Sequence, residues 1–359
     1  MGNIDICSIK SGKDNNEDID DENYIIAEIL IKESDLNKNR RIINSYEQMK
    51  IEKPGIFYDD EYYQNEEEIQ NTIIKINGEI IPFQYCIKFE KIGKYIIEYI
   101  FDEPIKNSNY MFYNCSYLTY INLCRFKTEN IIGMSSMFKG CKSLKKIILS
   151  NFNTKNVLNM RSMFNGCYSL EYINLLDFNT KNVTNMSSMF SGCKSLKSIN
   201  LSHFNTKKVT NMSCMFSGCS SLIHLNLNNF NTRNVEYMYN MFSGCSSLIS
   251  INLFNFNTKN VVSMSSMFFN CNSLINLNLS NFNTKNVVYM REMFSLCKSL
   301  TNLNISNFNI KNVQDSNNMF KGCNSLLVVY LPNFNVGNNI DDMFIDCNSL
   351  LFKYFINNE

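Results

Sequence analysis

Nine cysteines stand 26 residues apart, at Cys115, Cys141, Cys167, Cys193, Cys219, Cys245, Cys271, Cys297 and Cys323, and Cys347 follows after 24. No other feature of this 359-residue chain limits its fold so strongly. A fixed period of this length means that one supersecondary unit is repeated and that neighbouring units bury each other's apolar faces. Other columns keep the same register, as in SLKSINLSHFNTKKVTNMSCMFSGC from Ser195 to Cys219. Counted from each Cys, Leu recurs at three, Ile or Leu at six, Leu at eight and Phe at eleven. Val follows at sixteen in most units, then two Met and the Phe of an MF pair. The cysteines are therefore a repeat coordinate rather than a disulfide framework.

The first half of the unit spells L-x-x-L-x-L-x-x-F, the leucine-rich-repeat pattern with Phe where Asn or Cys is usual. Apolar residues two apart mark a short strand with one face buried. The second half, V-x-x-M-x-x-M-F-x-x-C, steps by three and four and predicts a short helix or 3₁₀ turn. The expected fold is an α/β solenoid: a leucine-rich-repeat-like stack of about ten 26-residue coils, each a short parallel strand plus a short helical turn. Residues 24–105 read differently. YIIAEILI, TIIKINGEIIPF, FQYCIKFE and KYIIEYIF are strand-like, and Asn77-Gly78 signals a type I′ hairpin. The stretch 59–68 reads as a solvated loop or helix start. The organisation expected is an acidic disordered tail over 1–23, a small β-rich N-terminal capping domain over 24–105, the solenoid over 106–352 and a C-terminal tail over 353–359. Val336, Gly337 and Asn338 break the repeat consensus, so the last coils are expected to be degenerate.

Units such as MSSMFSGCKSLKSINLSHFNTKKVTN resemble the 26-residue repeat of the BspA-like leucine-rich-repeat family of bacterial surface proteins, also seen in mycoplasmas, Listeria and protists, and this chain reads as a protist member. The resemblance covers about residues 106–352. It implies a solenoid that presents a protein-binding surface. It also implies a cell-surface, often adhesin-like role.

The N-terminus departs from that family. MGNIDICSIKSGKDNNEDIDDEN has no apolar h-region. Gly2 and Cys7 suggest lipidation, but Ile6 stands where the myristoylation motif wants Ser or Thr. No stretch approaches the roughly 20 apolar residues of a membrane helix. Fourteen cysteines without a leader point to free thiols in a reducing compartment. The expected location is therefore cytoplasmic, with the cell surface, by an unrecognised route or a lipid anchor, as the alternative.

The sequence shows no enzyme. Its two histidines, His203 and His224, fall at different repeat positions and are read as surface residues without a role. No C-x₂-C pair supports a metal ladder, and no phosphate-loop, nucleophile-elbow or zinc-protease motif occurs, so no cofactor is expected. Two surfaces remain. On the outward strand face, expected to be concave, a row of Asn (Asn122, Asn174, Asn200, Asn226, Asn252, Asn278, Asn304) reads as an amide ladder bonding from coil to coil. Beside it the sequence varies: Tyr120, Lys146, Tyr172, His224 and Tyr330 on one side, Cys124, Leu176, Phe254 and Pro332 on the other. Exposed aromatic and apolar side chains there are candidate anchors for a protein partner. The second surface is a basic column of Lys155, Lys181, Lys207, Arg233, Lys259, Lys285 and Lys311. It reads either as a solvated turn or as an anion-binding ridge for acidic protein, nucleic acid or anionic lipid. Nucleic acid is disfavoured because no aromatics interleave the cations.

These features predict a monomeric, non-enzymatic scaffold or recognition module binding an unidentified protein, with a surface or adhesin-like protein as the alternative. Peripheral membrane contact stays open. The net charge of +1 conceals polarity: residues 1–105 hold 12 basic and 23 acidic residues, net −11, and residues 106–359 hold 22 and 10, net +12. An acidic N-terminal segment folding back to mask the ridge is a further expectation.

Overall fold

The computed structural model describes residues 22–54, 64–332 and 340–356. Residues 1–21 of the acidic tail, Gly2 and Cys7 among them, and residues 336–338 lie outside that range, as do the first half of 59–68 and the last residues of the C-terminal tail.

The N-terminal module is built as the alternating pattern dictates. Strand β1 (Tyr24–Ile31) lies between β6 (Gly93–Ile100) and β7 (Leu118–Asn122), antiparallel to both. Strands β3 (Ile73–Ile76) and β4 (Glu79–Ile81) form the expected hairpin. Both of its central residues are left-handed, Asn77 at φ 50° and Gly78 at φ 87°, as a type I′ turn requires. β2 (Asn39–Arg41) pairs with β5 (Cys86–Lys88). Helix α1 (Tyr46–Glu52), which the strand-like reading passed over, starts where the Ser45 side chain accepts from Gln48 N. Helix α2 (Glu66–Gln70) completes the module.

This module is joined to the repeats through one sheet. The order β4-β3-β6-β1-β7-β8 places β7 of the first coil against β1, and β8 (Lys146–Ile148) of the next coil parallel to β7. One apolar core runs without a break from Ile25 to Phe344.

Each subsequent coil stacks on the last in the expected register. The Cys, Leu, Phe, Val and Met columns are buried throughout almost all of their length. The MF-pair phenylalanines, from Phe112 to Phe344, form one stack of ten rings with centroids 5.0–6.0 Å apart and planes within 18°. Tyr99 closes its N-terminal end edge-on to Phe112 at 5.3 Å.

The expected division of each coil into strand and helical turn needs correction. The strands are brief, and the outward face breaks into separate ladders: β9 (His224–Leu225) with β10 (Ser250–Ile251), then β11 (Asn302–Asn304), β12 (Val328–Pro332) and β13 (Phe352–Ile356). The unbroken ladder runs where the helix was expected. Parallel bridges link Asn107, Gly133, Asn159, Asn185, Asn211, Tyr237, Ser263, Tyr289 and Asp315 in succession. No helix forms in this segment of the described coils before α3 (Ile340–Met343). The cause is two left-handed residues per coil, for example Ser188 (φ 56°) and Gly192 (φ 72°). Between them N–H groups alternate in direction. Met189 N and Ser191 N turn back to Met186 O and Ser188 O, while Ser188 N and Phe190 N bond to Ser213 O and Met215 O of the next coil. A step of three or four between apolar residues satisfies this ladder of tight turns as well as it satisfies a helix.

Candidate functional site

The strand face is built from short turns rather than from an amide ladder. In each coil the Asn side chain accepts from the N–H two residues on: Asn174 from Leu176, Asn200 from Ser202, Asn252 from Phe254 and Asn304 from Ser306. The row is structural, but its bonds lie within the coil; among the described residues, one cross-coil contact occurs, Asn252 Nδ2 to Asn228 Oδ1 at 3.1 Å. These turns end the strand and turn the following side chain outward.

The candidate anchors divide accordingly. Tyr172 and Leu176 share one coil and are each 59% exposed; Phe254, at the Leu176 position three coils later, is 71% exposed. His224 is exposed in β9, and Lys146 Nζ lies 5.8 Å from the centroid of the Tyr120 ring. Three expected positions are corrected. Tyr330 pairs in register with Asn304 and so belongs to the middle row, where it stacks on Tyr354 at 5.1 Å. Cys124 and Pro332 are buried. His203 is half-buried and not without a role: its Nε2 contacts Leu175 O at 2.8 Å and its ring packs on Phe204.

One row of this face was missed. Four residues after the Cys, three consecutive coils carry the exposed Ile223, Ile249 and Ile275; Thr301 interrupts the row, and the exposed Leu327 and Leu351 resume it. Their backbones stack directly, Ile275 N on Ile249 O at 3.1 Å and Leu351 N on Leu327 O at 3.0 Å. In the second to fourth coils the same position is charged (Lys145, Glu171, Lys197), and Lys197 pairs with Glu171 at 2.6 Å. Reading this column by register reveals the change from charged to apolar.

The FNTKN turn carries the basic column. Asn179 Oδ1 accepts from Lys181 N (3.1 Å), Thr180 Oγ1 donates to Asn205 O (3.1 Å) and accepts from Asn205 N (2.8 Å), and Asn182 Nδ2 donates to Lys155 O (2.9 Å). The pattern repeats through Lys311. All seven cations are exposed.

The thiols are inert by environment. All thirteen described cysteines are free. From Cys141 onward each column thiol donates to the Phe carbonyl of the coil before, as Cys219 Sγ does to Phe190 O at 3.1 Å. Burial raises the column thiols from Cys115 to Cys297, to about 12 for Cys245 and Cys297, opposing formation of the nucleophilic thiolate, while the hydrogen bond with Cys323 lowers the half-buried Cys347. Among the described residues, no three His, Cys, Asp or Glu side chains are grouped to hold a metal ion, and no helix is long and apolar enough to cross a membrane.

The family described as "Mycoplasma protein of unknown function, DUF285" matches residues 106–222, 173–255 and 249–354, in overlapping stretches spanning the repeats. The chain belongs to this family. The DUF285 repeat is thus the 26-residue, BspA-like unit that the Cys register marks. No curated protein is similar to the chain at a significant level. Among solved structures it is similar to a leucine-rich cell surface protein from Faecalibacterium prausnitzii A2-165, with 19% identity over 83% of this chain and 94% of that one and a TM-score of 0.31. These comparisons contradict the expected cytoplasmic location, which is withdrawn.

Proposed function

We propose that this DUF285 protein is a surface, adhesin-type repeat protein that holds a protein partner on its strand face and performs no chemistry on it. The observation that carries this reading is the apolar run Ile223, Ile249 and Ile275 on three consecutive coils, resumed beyond Thr301 by Leu327 and Leu351, with Phe254 exposed on the same face. Isolated exposed apolar residues are ordinary, but a row held in register by backbone bonds offers contiguous area to a partner. The inert thiols and the use of His203 in a turn support a non-catalytic role. The family assignment and the cell surface title of the solved neighbour support exposure outside the cell.

The test has two arms. Protease treatment of intact cells is expected to degrade the chain, and protection would remove the surface reading. Partner capture by the immobilised full chain is expected to fall roughly tenfold or more when Ile249→Ser and Ile275→Ser, or Tyr172→Ala and Phe254→Ala, are combined. Undiminished capture by both double variants at unchanged Tm would remove the strand-face assignment.

A further inference from the structure

The FNTKN turn uses every side chain except its cation. Phe and Val are core, the first Asn closes the turn, Thr bridges two coils, and the second Asn caps the preceding carbonyl. The cation contributes only its backbone: its N–H donates to the Oδ1 of the first Asn, and its C=O accepts from the Nδ2 of the second Asn of the next coil. Among the described residues, none of the seven side chains at Lys155, Lys181, Lys207, Arg233, Lys259, Lys285 and Lys311 makes a hydrogen bond or ion pair. Any small polar residue would meet the needs of this fold. Seven successive cations are instead held one per coil, about 4.8 Å apart at the backbone. Two like charges at about 5 Å repel by roughly 0.8 kcal/mol even in bulk water, so the row is mildly unfavourable for the isolated protein. Lys208 adds an eighth cation, turned onto Asn182 at 2.8 Å. Glu129 occupies the same position one coil before Lys155 and ends the row.

We infer that this ridge is a binding site for a linear acidic polysaccharide, whose carboxylates or sulfates lie in single file along it. Three features select that class. The ridge is one cation wide, whereas a nucleic-acid duplex presents closely spaced charge on two strands and a membrane presents it over a plane. The three positions after each cation carry Asn, Lys, Val, Leu, Thr, Glu and Gln but no aromatic ring, and the exposed Tyr237 and Tyr289, a residue further on, stand in only two of the seven coils, so successive bases have no continuous row to stack on. Six of the seven are Lys, a compact point charge, and not the Arg fork suited to bidentate phosphate. This site is separate from the strand face, and either can fail without the other.

The experiment titrates the full chain with size-defined heparin oligosaccharides at rising salt. Affinity is expected to increase with oligosaccharide length up to the seven-coil span and to fall with salt. Combining Lys181→Gln, Arg233→Gln, Lys259→Gln and Lys285→Gln is expected to weaken binding about tenfold or more. Combining Lys142→Gln, Lys145→Gln, Lys194→Gln and Lys298→Gln removes the same charge elsewhere on the repeats and is expected to change it less than about twofold. Lys→Arg replacements at Lys181, Lys207, Lys259 and Lys285 preserve the charge and are expected to retain binding. Equal loss in both Gln sets, no heparin binding by the parent chain, or tighter binding of a single-stranded oligonucleotide or an anionic vesicle would overturn the proposal.

Discussion

Single residues in this protein are decided by the coil above or below them. The Thr column shows it best. Thr232 Oγ1 donates to Asn257 O and accepts from Asn257 N at 3.0 and 2.8 Å, so one buried hydroxyl satisfies two backbone groups of the next coil. Thr128, at the same repeat position in the first coil, has a buried Oγ1 with no partner. The isosteric change Thr232→Val is expected to cost about 2 kcal/mol, because two buried backbone groups lose their partner. Thr128→Val is expected to be neutral or stabilising. Urea unfolding of the two variants checks the pair, and equal losses would contradict the assigned bonding. The Cys column has a comparable logic: Phe190 O accepts both Cys193 N and the Cys219 thiol, so a small, weakly polar side chain fits where a larger aliphatic would meet the next coil.

At the scale of the element, the unit is the complete 26-residue coil. The repeated side-chain bonds between coils span 25 residues through the Thr bridge, 27 through the Asn cap and 29 through the thiol. Excising residues 194–219 joins Cys193 to Ser220 and brings each column of the flanking coils into register with an equivalent one. The shortened chain is expected to fold cooperatively with modestly reduced stability, while a 13-residue excision from the same place is expected to abolish cooperative unfolding. Circular dichroism during urea titration distinguishes them. The second half of each coil was misread as helical for an identifiable reason. Apolar spacing reports which side chains share an interior, but the left-handed backbone at Cys214 and Gly218 has no spacing signature. Glycine is a partial clue: an added Cβ at Gly218 would lie 3.5 Å from Gly192 Cα. Asn270 and Leu296 adopt the same conformation without being Gly.

Across the whole molecule, the eight buried column thiols from Cys115 to Cys297 tie stability to alkaline pH. Their folded values are raised by burial, to about 12 at Cys245 and Cys297. A raised folded value means that the stabilisation is complete below the unfolded thiol value near 9 and is lost as pH climbs from there towards 12. The Tm is therefore expected to hold steady to about pH 8.5 and to fall steeply above it. Ellman's reagent at pH 8 is expected to label the column only after unfolding; rapid labelling of the native column would contradict its burial. The sequence by itself determined the period, the identity of every core column, the strand content of the N-terminal module and the basic row, because a 26-residue repeat forces equivalent residues into equivalent environments. Only the tertiary structure decided that the MSSMFSGC segment is a turn ladder, that the Asn row bonds within its coil, and that β1 links the cap to the first coil. It also showed that the fourth position exposes an apolar row. These depend on backbone direction and on contacts between coils, as where β1 meets β7 some 90 residues away, and periodicity carries neither.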